Sequence, residues 1–249
     1  ADNNLTLGNL SATGQSATLT VAGAVLDGDT GADNTDITAN NLSITAASVG
    51  TSANAFDTDV NLLSLDLGAG GAYLSEANGL VVTGAGIRSA GSLSLISRSG
   101  DLLLNADLIL SGSASLSLQA IAGAVTQTAL STVSTQAGDV SIEGQSGASV
   151  ARVISQSGRI GVLATEGPFV VPADSSGVNY GDQPVRILGT GVDIGAQLAG
   201  SGSIEFTLPS QQANLAGLTL ETAHLVFSAN ELNALASSVP IVVGDTQGL

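Results

Sequence analysis

Cysteine, methionine and tryptophan are absent from this chain of 249 residues, and lysine is absent as well. Without cysteine there is no disulfide framework, no thiol nucleophile and no thiolate metal site. The same absence fits a surface protein that crosses an envelope unfolded. Aromatic residues make up 2%, two Tyr and four Phe, so the core is not built on large rings and an outer-membrane barrel would lack its aromatic girdles. The basic residues are five scattered arginines, Arg88, Arg98, Arg152, Arg159 and Arg186, against 21 acidic residues, for a net charge of −16. Such a surface repels phosphate backbones and anionic lipids, which argues against nucleic acid as a partner. The most apolar stretch, 102–110, is broken by Asn105 and Asp107 well short of the ~18 apolar residues of a spanning helix, so no membrane insertion is expected. The chain opens without Met and without a basic flank leading into an apolar run, and Ala1 is read as a processing boundary.

What is present is apolar and small. Hydrophobic residues reach 43% and mean hydropathy is +0.39, too apolar for a disordered polymer, so the chain should fold around Leu, Ile, Val and Ala. Those residues come in short alternating runs: Leu19-Thr-Val21, Leu42-Ser-Ile44, Leu63-Ser-Leu65, Leu93-Ser-Leu95, Leu116-Ser-Leu118, Val140-Ser-Ile142, Ile160-Gly-Val162, Val185-Arg-Ile187, Ile204-Glu-Phe206, Leu218-Thr-Leu220 and Ile241-Val-Val243. A period of two means strands, with the small polar residue facing away from the core. Most triplets recur after about 20 residues, the range of solenoids, and weaker strands lie between them at Leu102–Leu104, Ala124–Thr126 and Arg152–Ile154. The fold class expected is all-β, a parallel β-helix (β-solenoid) with about 20 residues per coil. The whole of 1–249 then forms a single rod segment of about ten or eleven coils, roughly 50 Å long at ~4.8 Å per coil. Helix signals are confined to 229–236, where Glu231, Leu232 and Leu235 share a face.

Corners of such a coil favour Gly and Asn for positive φ, and Asp or Ser for hydrogen bonds to their own backbone. Gly-Asp recurs at Gly100-Asp101, Gly138-Asp139, Gly181-Asp182 and Gly244-Asp245, and the pairs Asn3-Asn4 and Asn40-Asn41 could stack as amide ladders. The rhythm is interrupted at 166–184, which holds Pro168, Pro172 and Pro184 with Phe169 and Tyr180. Proline cannot donate to a central ladder, so this stretch is expected to leave the coil as a loop, with Phe169 and Tyr180 as binding residues displayed on it.

The phrases 91–104 (GSLSLISRSGDLLL), 113–127 (SASLSLQAIAGAVTQ), 138–142 (GDVSI) and 230–246 (NELNALASSVPIVVGDT) look like tandem units of the filamentous-haemagglutinin-like class of large secreted adhesins, many of them exported by the two-partner route. The resemblance covers nearly the whole chain. It implies a rod-shaped, right-handed β-helix at the bacterial cell surface or in the extracellular space, serving in attachment, aggregation or biofilm. The partners implied are a host or neighbouring-cell surface, through a polysaccharide or protein ligand. The Asn-Pro motifs of the family's secretion domain are missing, which would make this an interior or distal portion of the rod. Arg-Gly-Asp is absent too.

Chemistry is sparse. His224, the single histidine, stands without a Gly-x-Ser-x-Gly elbow, so no nucleophilic triad is expected. A carbohydrate-active β-helix enzyme, lyase or hydrolase, is the alternative reading, but Asp193, Glu205, Glu221 and Glu231 cannot be assigned to one face, and Arg152 and Arg159 near Glu143 and Glu166 read as an ion-pair ladder. No catalytic residue is named and no organic cofactor is expected. The segment Asp27-Gly-Asp29-Thr-Gly-Ala-Asp33-Asn-Thr-Asp36 gathers four carboxylates among glycines, the hard-oxygen chemistry of Ca²⁺, though not in the order of an EF-hand. Asp27, Asp29, Asp33 and Asp36 are therefore the metal candidates. A third reading, end-to-end or lateral self-association into filaments, follows from the strand triplet close to Gly248-Leu249 without an amphipathic cap.

Overall fold

The structure, a computed structural model, describes residues 3–29, 34–208 and 240–245. It is all-β, without helix among these residues: 23 strands joined in parallel into a β-solenoid of about nine turns with roughly 22 residues per turn. The turns are slightly longer than the sequence spacing suggested. Leu218–Leu220 and the 229–236 segment lie outside the described residues.

Each turn has three faces. On the first, Ala72, Leu93, Leu116, Val140, Ile160, Val185, Ile204 and Ile241 stand level in consecutive turns. On the second, Leu80–Ser89 begins level with Leu102–Leu104, followed by Ala124–Gln127, Gly147–Ser149, Phe169–Val171 and Val192–Ile194. On the third, Leu19, Ile44, Leu65 and Ile87 lead to Leu108, Val133, Val153, Val178 and Leu198. The first turns use long strands that run around corners, Ile37–Val49 and Phe56–Glu76; from Leu93 onward each face carries its own short strand. The expected alternation holds: in Leu116–Ala120 the leucines and Ala120 are buried, while Ser117 is exposed. One apolar core built this way runs from Ala17 to Phe206.

The corners are closed by side chains that sequence alternation points inward. Buried Ser97, Thr135 and Ser155 donate their hydroxyls to the carbonyls three residues on, of Gly100, Gly138 and Gly158, at 2.7, 2.7 and 3.0 Å. The aspartates of the corners accept from the next turn rather than from their own backbone: Asp101 from Ala124 N–H, Asp107 from Thr132 N–H and Asp139 from Arg159 N–H, each at 2.8 Å. Gly100 and Gly138 do not have positive φ. They are glycines because the neighbouring turn's main chain leaves no room for a Cβ: one added at Gly138 would sit 1.8 Å from the Ala114 carbonyl oxygen. An amide rung of the kind expected joins Asn61 Nδ2 to Asn40 Oδ1 at 3.0 Å.

The expected loop excursion at 166–184 is corrected. Phe169–Val171 pairs with Gly147–Ser149 and Val192–Ile194, and Gly177–Asn179 pairs with Arg152–Ser155 and Leu198–Ala199, so the stretch is an ordinary turn. Pro168 and Pro172 flank the first of these strands rather than interrupting it. The missing N–H of Pro168 is no loss to the ladder, and its carbonyl accepts Ala148 N–H at 3.0 Å.

Candidate metal centre

The strand Ala24–Asp27 ends one face, and Asp36 directly precedes Ile37–Val49 on the next. Asp27, Asp29 and Asp36 come together there: one carboxylate oxygen from each lies within 4.8 Å of the others. Asp33, the fourth sequence candidate, lies outside the described residues. Asp27 Oδ1 accepts Asp29 N–H at 2.8 Å, and the Asp29 carbonyl accepts Asn54 Nδ2–H at 2.8 Å. Asp36 is completely buried and its Oδ2 accepts Asp57 N–H at 3.0 Å. Asp36 Oδ1 and Asp27 Oδ2 are buried without a hydrogen-bond partner among the described residues. Burial pushes the Asp36 carboxyl up to about 7; the Asp57 N–H pulls against this, while Asp27, through its charge and a side-chain hydrogen bond with a protonated Asp36, and the charge of Asp29 add to the rise.

Beside this group lies a second set of acids that sequence reading missed. Asp57, also buried, is paired with Arg98, which reaches across the stack to it at 3.1 Å and donates to Ser75 Oγ at 2.5 Å. Burial raises the Asp57 carboxyl, with the Ser75 hydroxyl and Arg98 drawing it back. Glu76 is completely buried. It accepts the Thr58 hydroxyl at 2.6 Å, Val60 N–H at 3.0 Å and Asn78 N–H at 3.4 Å. The signal was available: alternation from Ala72 and Leu74 points Glu76 inward, at a level where later turns carry Ser97, Ala120, Gly144 and Ala164.

Burial lifts the Glu76 carboxyl from 4.5 to about 7, against its three hydrogen bonds and helped by the Asp59 charge. The folded value lies above the unfolded one, so the native state keeps a proton that the unfolded chain releases. Stability from this group is full below about pH 4.5 and is lost as pH rises through about 7. Melting temperature is expected to rise on acidification from about pH 8 to about pH 5, and Glu76→Gln should remove up to about 3 kcal/mol of the accompanying gain in unfolding free energy. Melts across that range check it, and a slope unchanged in the variant would assign the effect to Asp36 and Asp57, which are shifted in the same direction.

The binding candidates Phe169 and Tyr180 are corrected: both are completely buried. The Tyr180 ring is accommodated by a glycine in the following turn, and a second glycine, Gly189, packs against the Phe169 N and Cβ. A Cβ at Gly200 would lie 2.5 Å from the Tyr180 ring, and one at Gly189 would lie 3.3 Å from Phe169 Cβ. The ion-pair ladder is corrected as well. The two ion pairs among the described residues are Arg98 with Asp57 and Arg186 with Glu205, and Glu143 instead accepts Gln119 Nε2–H at 3.1 Å. Of the carboxylates weighed for catalysis, Glu205 is held by Arg186 at 2.7 Å, Asp193 stands level with Val170 on another face, and Glu221 and Glu231, like His224, lie outside the described residues. No family model matches the chain, and neither a curated protein nor a solved structure matches it.

Proposed function

We propose that the chain is a rod segment of a secreted or cell-surface bacterial adhesin, whose work is structural and adhesive. The observation that supports this most is the continuity of the stack. Leucines and isoleucines stand level from turn to turn inside, while Ser94, Ser117 and Ser141 stand level outside. In such an architecture each turn supports only its neighbours, so length is gained without a larger core, and the outer faces present the same small hydroxyl and amide groups along the axis. Those flat polar rows suit contacts with a polysaccharide or with the flank of another rod. The surplus of acidic residues keeps such a polymer soluble outside the cell.

Beads coated with the chain are expected to attach to bacterial or epithelial cells several-fold better than albumin-coated beads, and to attach without altering soluble polysaccharides. A panel of uronic-acid and neutral glycans, assayed for new reducing ends and for unsaturated products, supplies the opposing result. Turnover on any of them would replace this reading with that of a carbohydrate-active enzyme.

A further inference from the structure

Beyond a passive rod, we infer that Asp27, Asp29 and Asp36 form a Ca²⁺ site that ties the end of one face to the start of the next in the amino-terminal turns. Two observations carry this. The first is spacing. Ca²⁺ holds its oxygens at 2.3–2.6 Å, so ligands on opposite sides of one ion stand up to about 5.2 Å apart. The oxygens of Asp27, Asp29 and Asp36 fall within that span. Mg²⁺, at 2.0–2.1 Å, calls for a tighter set and gives up its water reluctantly.

The second observation is the pair of orphaned oxygens. Asp36 is completely buried, its N–H donating to the Asp57 carbonyl and its Oδ2 accepting Asp57 N–H, while Oδ1 faces no donor among the described residues. Asp27 repeats the arrangement, with Oδ1 held by Asp29 N–H and Oδ2 buried without a donor once both carboxyls are ionised; the alternative occupant is a proton shared with Asp36. A buried carboxylate oxygen requires a donor or a cation. The Arg98 guanidinium is committed to Asp57 and Ser75. A hard divalent cation meets both orphaned oxygens at once, and water or main-chain oxygens complete its six to eight ligands. Because Asp27 closes Ala24–Asp27 and Asp36 opens Ile37–Val49, the bound ion would act as a clamp across that corner.

The test uses the full chain at about pH 8 with Ca²⁺ alone as the probe. Calorimetric titration is expected to show one Ca²⁺ per chain, and about 5 mM CaCl₂ should raise the melting temperature by several degrees, since a ligand confined to the native state stabilises it. Both signals should vanish in Asp27→Asn/Asp36→Asn and persist in Asp59→Asn, an acid outside the cluster. Should the double variant fail to fold, Asp29→Asn, at a half-buried position, should weaken Ca²⁺ binding about tenfold. Four results would overturn the site: no Ca²⁺ response, which would leave Asp27 and Asp36 sharing a proton; an equal rise with MgCl₂ at matched ionic strength; a response that survives in the cluster variants; or one lost equally in Asp59→Asn.

Discussion

Leu118→Asp is expected to cost about 4 kcal/mol or more, whereas Ser117→Asp, one residue away, should stay within about 0.5 kcal/mol of the parent. Leu118 is 1% exposed and stands level with Leu95 on one side and Ile142 on the other. A carboxylate placed there has neither water nor a donor, and it would separate two apolar layers in the middle of the stack. Ser117 is exposed, between Ser94 and Ser141, so an added charge meets no like charge on either side. Urea unfolding of the two variants beside the parent measures the contrast. Equal losses would mean that the strand is set one residue out of register, since a slip of one exchanges the buried and exposed sets.

Gly138→Ala is the second large effect, about 3 kcal/mol or more, and its cause is main-chain crowding. The added Cβ would meet the Ala114 carbonyl oxygen at 1.8 Å and its carbon at 2.3 Å, so the two turns would have to separate at that corner. Separation there would disturb a connected set of bonds: Thr135 donating to the Gly138 carbonyl, Arg159 N–H donating to Asp139 and Leu116 N–H donating to the Asp139 carbonyl. Gly161→Ala supplies the comparison. A Cβ at that position meets only Leu163 Cδ1, at 3.8 Å, and φ is not positive, so the variant should melt near the parent temperature. If both alanines are tolerated, the corner glycines serve chain flexibility instead of close stacking.

The strands and their inward sets were legible because period-two alternation is a local signal, and the structure keeps it at Leu116–Ala120, Val140–Gly144 and Ile160–Ala164. The assignment of triplets to faces was not. Leu42-Ser-Ile44 and Leu63-Ser-Leu65 straddle the corner between the second and third faces, Leu63 standing level with Val82 and Leu65 with Ile87, while Leu93-Ser-Leu95 stands level with Ala72 on the first. All three faces use the same apolar-small-apolar pattern, so a spacing read across them averages over changes of face. Proline at 168 and 172 misled for a related reason. A strand of only three residues demands few N–H donors, and a proline at either end of it falls in the corner. In the acidic segment, residue type identified Asp27, Asp29 and Asp36 as neighbours, since all three lie within ten residues of one another. Asp57 and Glu76 join that corner only through stacking of turns, which no local window contains.

The fit of Tyr180 against Gly200 bears on how a rod of this kind can lengthen. Tyr180 lies in a column between Ser155 and Gly200, completely buried, and its ring occupies the space that a side chain at Gly200 would need. Copying only the turn that carries Tyr180 would set one ring directly upon another, in a core already filled. Copying it together with the following turn would keep each ring beside a glycine. Where successive turns carry similar volumes, as Leu95, Leu118, Ile142 and Val162 do, a single turn is an acceptable unit of growth. Near Tyr180 the heritable unit is two turns, so insertions and deletions there should preserve the phase of large and small.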